Sequence, residues 1–176
     1  MRITISGLPG SGTTSLGKTL ARDLGFTFIS AGEVFRSCAE ERNMDLAAFG
    51  RLAESDPTID RLIDERQKEI GMRSDDIIIE GRLAGRMIEN ADLKIWLTAS
   101  PECRSKRIAA RDIQDGDTAT AVTIERERSE AQRYRAYYGI DIGDLSCYDM
   151  VLNSERFGRE SVVMIVKTAI NDLANH

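Results

Sequence analysis

Short apolar runs alternate along the chain with longer stretches in which hydrophobic positions recur every three or four residues. The runs at 2–6, 26–29, 76–80, 93–97 and 150–153 read as strands, and their Ile, Leu and Val content is that of parallel strands covered on both faces. Helical spacing fills the gaps. Leu16, Leu20 and Leu24 mark a first helix, and Asp56-Pro57 opens another that carries Ile59, Leu62, Ile63, Arg66 and Ile70, with Gly71 as its expected stop. Ser100-Pro101-Glu102 opens a third in the same way. The stretch from Gly158 to Leu173 reads as a closing helix with Val162, Ile165, Val166, Ala169 and Ile170 on one face. This alternation predicts an α/β fold, a doubly wound parallel sheet whose ligands bind beyond the carboxyl ends of the strands.

Composition narrows the picture. At 176 residues and 41% hydrophobic, the chain suits one domain with a substantial core. No run is long enough to cross a bilayer and the first residues already read as a strand, so a cytoplasmic location is expected. A net charge of -5 disfavours nucleic acid and anionic membrane as partners and leaves small molecules. Cys38, Cys103 and Cys147 are odd in number and far apart, which suggests neither a disulfide framework nor a zinc site. The only histidine is His176, so histidine-based acid-base chemistry is not expected. Of 24 cationic residues, only Lys18, Lys68, Lys94, Lys106 and Lys167 are lysine; the remaining 19 are arginine, whose planar fork grips phosphate. Seven of these arginines fall between Arg104 and Arg135, too dense a cluster to ignore.

The segment Gly7-Leu8-Pro9-Gly10-Ser11-Gly12-Thr13-Thr14-Ser15 sits between the first strand and the first helix. Its spacing fits G-x-x-x-x-G-K-[ST], except that Thr13 stands where the lysine belongs. Glycines let successive backbone N–H groups converge on a phosphate, while the following helix turns its positive end to the same anion. These residues are therefore expected to bind the phosphates of ATP, with the Thr14 hydroxyl reaching Mg2+. The missing lysine must be offset by cations from elsewhere.

Two further arginines, Arg36 and Arg82, follow the second and third strands at the ligand-binding edge, and Arg61 lies on the helix opened by Asp56-Pro57. Arg104, Arg107 and Arg111 share one helix face, as do Arg126, Glu130 and Arg133 on another, with the polar break 112–117 between them.

Taken together, the phosphate loop, Ile29-Ser30-Ala31-Gly32-Glu33-Val34-Phe35-Arg36, Ile78-Ile79-Glu80-Gly81-Arg82, Leu93-Lys94-Ile95-Trp96-Leu97-Thr98-Ala99-Ser100 and Arg133-Tyr134-Arg135-Ala136-Tyr137-Tyr138-Gly139-Ile140-Asp141 resemble the nucleoside monophosphate kinases, above all the archaeal type of cytidylate kinases. The resemblance spans nearly the whole chain. It implies a five-stranded parallel sheet, an acceptor-binding region at about 31–73 and a lid at about 107–126. It also implies ATP-dependent phosphorylation of CMP and dCMP to CDP and dCDP by a monomer that uses Mg2+. In that reading Arg36, Arg61, Arg82, Arg126, Glu130 and Arg133 bind the acceptor, and Arg82, Arg107, Arg111, Arg126 and Arg133 stabilise the transferring phosphoryl group. Leu83 departs from bacterial relatives, which carry an aspartate after the arginine of that motif. Adenylate kinase, another small-molecule kinase, and a nucleotide-binding regulator without catalysis remain as alternatives. A GTP-driven switch would need D-x-x-G and [NT]-K-x-D, and the chain contains neither.

Overall fold

A computed structural model describes residues 1–112 and 116–175. Five strands, β1 (Arg2–Gly7), β2 (Thr27–Ser30), β3 (Ile77–Glu80), β4 (Leu93–Thr98) and β5 (Met150–Asn153), form one parallel sheet in the order β2-β3-β1-β4-β5. Every predicted strand is present, with ends shifted by at most one residue. β1 lies at the centre, hydrogen-bonded to β3 on one side and β4 on the other, so the loop that follows it emerges mid-sheet. That position is the switch point at which crossovers leave in opposite directions and a crevice opens.

The central strands β3, β1 and β4 are covered on both faces, whereas the edge strands β2 and β5 are not, with Val151 of β5 exposed, contrary to the expectation for all five. Ile3, Ile5, Ile78, Ile95 and Leu97 pack against Leu16 and Leu20 of α1 (Thr13–Leu24) and against Val162, Val166 and Ile170 of α8 (Arg159–Leu173). Ile77 and Ile79 face the opposite way, toward Ala84 of α5 (Ala84–Met87) and Ile88. Three helices stand between β2 and β3: α2 (Ala31–Glu41), α3 (Leu46–Ser55) and α4 (Pro57–Arg73). They enclose a smaller core of Cys38, Phe49, Ile59 and Ile63. The chain then continues through α6 (Pro101–Asp112) and α7 (Gly116–Tyr138), which pair with one another before β5.

One helix boundary differs from expectation. α4 runs on through Gly71 to Arg73. A Cβ on Gly71 would lie 2.6 Å from Ile79 Cδ1, so this glycine admits the sheet's side chains close to the helix and does not terminate it. The Asp56 start is as expected: its carboxylate accepts from the Thr58 amide at 2.9 Å, and Pro57 takes the first helical position. Of the polar break 112–117, residues 113–115 lie outside the described residues, and Gly116 and Asp117 already belong to α7.

Candidate active site

The loop from Gly7 to Gly12 depends on backbone conformations that favour glycine: φ is +79° at Gly10 and +98° at Gly12. Among residues 8–12, only the Ser11 amide donates to a backbone carbonyl, at 3.1 Å to Leu8. No acidic residue occupies the first turn of α1 and no side chain caps it. The amides and the helix's positive end are thus left to an anion. Ser11 is fully buried and its hydroxyl is without a partner, a further polar group in the cradle.

Guanidinium groups grip the outside of this loop. Arg82 Nη1 donates to Gly7 O at 3.1 Å, Arg104 Nη1 to Pro9 O at 3.1 Å, and Arg107 Nη1 to Gly10 O at 3.3 Å. Arg107 also donates to the hydroxyl and carbonyl of Ser154, whose hydroxyl in turn donates to Ser11 O at 2.6 Å. Arg104 is buried and paired with Glu127 of α7. Three cations therefore hold the cradle by its carbonyls, which polarises the amides facing the other way. The side chain of Arg111 lies outside the described residues.

Thr13, in the lysine's place, turns inward. It is buried, and its hydroxyl donates to Glu80 Oε1 at 2.7 Å, while Ser30 donates to Glu80 Oε2 at 2.5 Å. Glu80 O accepts from Gln67 at 2.9 Å. This carboxylate therefore stitches the start of α1 to the end of β2, and both its oxygens are engaged. Thr14 and Ser15 are exposed on the adjoining turn. Lys18 stands on the surface, paired with Glu33 at 2.8 Å.

Beyond β3, Arg82 Nε donates to Glu130 Oε2 at 2.9 Å, and Arg126 Nε donates to Glu130 Oε1 at 2.8 Å. Burial opposes ionisation of Glu130, but Arg82 and Arg126 outweigh it and hold its carboxyl below the usual carboxylate range. Arg133 reaches across to α4, donating to Asp60 at 2.7 Å through Nε and to Ser129 at 2.6 Å through Nη1. One turn along α4, Asp64 accepts from the Tyr138 hydroxyl at 2.7 Å. Arg36 and Arg61 are exposed and make no hydrogen bond or ion pair among the described residues. Arg82, Arg126 and Glu130 are thus one connected cluster, Arg133 stands on the same face of α7 but pairs with Asp60, Arg107 sits on the loop, and Arg36 and Arg61 lie on the helices between β2 and β3.

Several participants carry no motif of their own. Ser30 meets Glu80 because β2 and β3 bring these two residues into register. Asp60, Asp64 and Glu127 read in the sequence as ordinary helix-surface acids, and only the packing of α4 and α6 against α7 reveals them.

Asp64 also gives a pH signature. Burial pushes its carboxyl from 3.8 up to about 6, a rise that the bond from Tyr138 only partly opposes. The folded chain thus keeps a proton that the unfolded chain releases, so stability falls as pH rises between these two values and stays lower above them. Asp64→Asn removes the charge but keeps an acceptor for Tyr138. Relative to the parent it is expected to gain roughly 2–3 kcal/mol between pH 3 and 7. Urea denaturation of both proteins across that range checks this; parallel profiles would refute it.

A parallel sheet with a glycine cradle at its central strand and arginines converging from the turn after β3 and from α6 and α7 define a P-loop kinase fold. Solved structures share it. The chain superposes on shikimate kinase from Bacteroides thetaiotaomicron with a TM-score of 0.65 at 17% identity, covering 97% of this chain and 98% of that one. It does so on a gluconokinase from Sinorhizobium meliloti with a TM-score of 0.58 at 13% identity, covering 97% and 94%. Such low identities speak to the fold alone. Residues 2–156 match the model of the cytidylate kinase-like family, and the chain belongs to that family. It is 62% identical to the cytidylate kinase of Methanoregula boonei over 174 residues, 98% of this chain and 96% of the relative. To the cytidylate kinase of Archaeoglobus fulgidus it is 46% identical over 170 residues, 97% and 94%.

Proposed function

We propose that this protein is a cytidylate kinase, transferring the terminal phosphoryl group of ATP to CMP or dCMP and yielding CDP or dCDP. The observation that carries the reading is the arginine cluster on Glu130 standing directly beside the glycine cradle, joined to it by the bond from Arg82 to Gly7 O. It is supported by the match of nearly the whole chain to cytidylate kinases.

The acceptor is a phosphate monoester, already ionised near neutral pH. It attacks phosphorus without a base to deprotonate it, and the reaction needs position and charge instead. The cradle amides bind the donor phosphates. Arg82 and Arg126, aligned by Glu130, hold the acceptor phosphate close and blunt its repulsion from the donor. Arg133 binds the acceptor nucleotide, with Arg36 and Arg61 approaching it from the region at about 31–73. Arg107 and Arg111, on the lid at about 107–126, supply positive charge that the loop itself lacks.

Among the described residues no group of three or more acidic, cysteine or histidine side chains can hold a metal, and Glu80 is already engaged. That donor set fits Mg2+ carried mainly by nucleotide phosphates and water, with the exposed Thr14 hydroxyl as the protein's ligand. When bound, Mg2+ neutralises charge on the phosphate oxygens. The reading makes the enzyme a cytoplasmic monomer acting on small nucleotides.

A coupled assay offering AMP, CMP, UMP, dCMP and shikimate to the purified protein with ATP and Mg2+ tests this. Turnover is expected with CMP and dCMP. Turnover with AMP or shikimate alone would overturn it, and ATP binding without any diphosphate formed would favour a regulator.

A further inference from the structure

The direction of α4 puts its first two turns over the crevice. Gln67 meets the carbonyl of Glu80 at the carboxyl end of β3, and Gly71 meets Arg2 at the amino end of β1. The helix therefore descends from above the ligand-binding edge, and Asp60 lies about 10 Å above Gln67 along its axis. Opposite it stands Arg133, on the same face of α7 as Glu130, which Arg82 ties to the cradle. The pair formed by Asp60 and Arg133 thus bridges the two walls of the acceptor side.

Its hydrogen bonds are incomplete. Asp60 Oδ2 accepts from Arg133 Nε, and Arg133 Nη1 is taken by Ser129. Asp60 Oδ1 and Arg133 Nη2 bond to no other described residue, which leaves one acceptor and one donor beside each other on side chains that are mostly buried. Glu130, by contrast, has both oxygens occupied by arginines, and Asp64 is bonded to Tyr138. Of the three carboxylates between α4 and α7, Asp60 is the one that pairs with an arginine and still keeps an oxygen unbonded.

We propose that Asp60 and Arg133 together read the base of the acceptor nucleotide, Oδ1 of Asp60 accepting from the exocyclic amine of cytosine and Nη2 of Arg133 donating to its ring nitrogen or 2-keto oxygen. The inference rests on the reading of the protein as a CMP-phosphorylating enzyme, and adds to it the residue that sets specificity. Uracil presents a keto oxygen where cytosine has its amine, and a carboxylate repels it. A buried acceptor without a donor is costly, so this one position discriminates strongly.

The test compares kcat/KM for CMP and UMP, with ATP as donor, in the parent, Asp60→Asn, Asp60→Glu and Asp64→Asn. The amide of Asp60→Asn can turn to offer either a donor or an acceptor, so the preference for CMP is expected to drop roughly 10- to 100-fold. Asp60→Glu keeps the charge against Arg133 but displaces the oxygen, and is expected to lower kcat/KM for CMP at least about tenfold while the protein stays folded. Asp64→Asn, one turn away in the same interface, is expected to leave the CMP-to-UMP ratio within about twofold, because it touches no reading group. A parent that makes CDP while Asp60→Asn keeps its preference, or while Asp60→Glu works normally, overturns the inference and leaves the kinase reading intact. A parent that makes no CDP overturns both.

Discussion

Arg82→Ala is expected to lower kcat/KM for CMP by roughly 10²- to 10⁴-fold and to destabilise the fold by about 3 kcal/mol. Two distinct losses contribute. One is chemical: in the proposed mechanism the guanidinium beside the cradle holds the acceptor phosphate during transfer, and its charge is worth most where water is excluded. The other is structural, because Glu130 is buried and loses one of the two arginines that keep it ionised. The double variant Arg82→Ala, Glu130→Gln separates them. Removing the carboxylate as well as its partner is expected to restore most of the lost stability and none of the lost rate. Arg82→Lys is expected to fall between parent and alanine, since an ammonium cannot bond Glu130 and Gly7 O with the same forked geometry. Denaturation midpoints and steady-state kinetics on the four proteins check this. Recovery of turnover in the double variant would show that Arg82 only balances Glu130.

Much of this arrangement was legible in the chain, for physical reasons. The strands announce themselves because parallel strands covered on both faces must be apolar throughout, as Ile77, Ile78 and Ile79 are. The cradle is legible because positive φ at Gly10 and Gly12 demands glycine at fixed spacing. The cluster of Arg126, Glu130 and Arg133 follows from helical periodicity alone. What periodicity does not carry is the partner across a gap. Asp60 is a polar residue in a helix with a polar face, and nothing local tells it from Glu65, which is exposed. Gly71 misleads for a related reason: it looks like a helix stop, and only the approach of Ile79 shows why a side chain is excluded there.

The missing lysine takes on a different meaning once its neighbours are known. A lysine at position 13 would extend from a buried site now filled by a hydroxyl bonded to Glu80. Thr13 instead joins the first turn of α1 to Glu80, and Ser30 joins Glu80 to the start of α2, so the glycine cradle and α2 share one carboxylate. Positive charge is moved to arginines just after β3 and on α6, which hold the loop by its carbonyls. The loop has thereby exchanged one cation inside it for several around it, each fixed by its own packing.

That dependence on the surroundings makes Gly10 the most sensitive position in the cradle. Gly10 and Gly12 both have positive φ, so alanine at either is strained. They differ in what a side chain meets. A Cβ at Gly12 meets no atom within 4 Å, whereas one at Gly10 would stand 2.6 Å from the backbone oxygen of Arg104. That oxygen cannot give way cheaply, because Arg104 is buried and its guanidinium is bonded to Pro9 O, Ala99 O and Glu127. Gly12→Ala is expected to cost about 1–2 kcal/mol from strain alone. Gly10→Ala adds an overpacking penalty, for a total of about 3–4 kcal/mol. Because relief requires the loop to move away from α6, Gly10→Ala is also expected to raise the KM for ATP about 100-fold or more. Denaturant titration of both variants and ATP kinetics at saturating CMP measure the two effects. Equal stabilities for the two variants would mean that α6 does not brace the loop, and that the arginines above it hold the carbonyls without fixing their position.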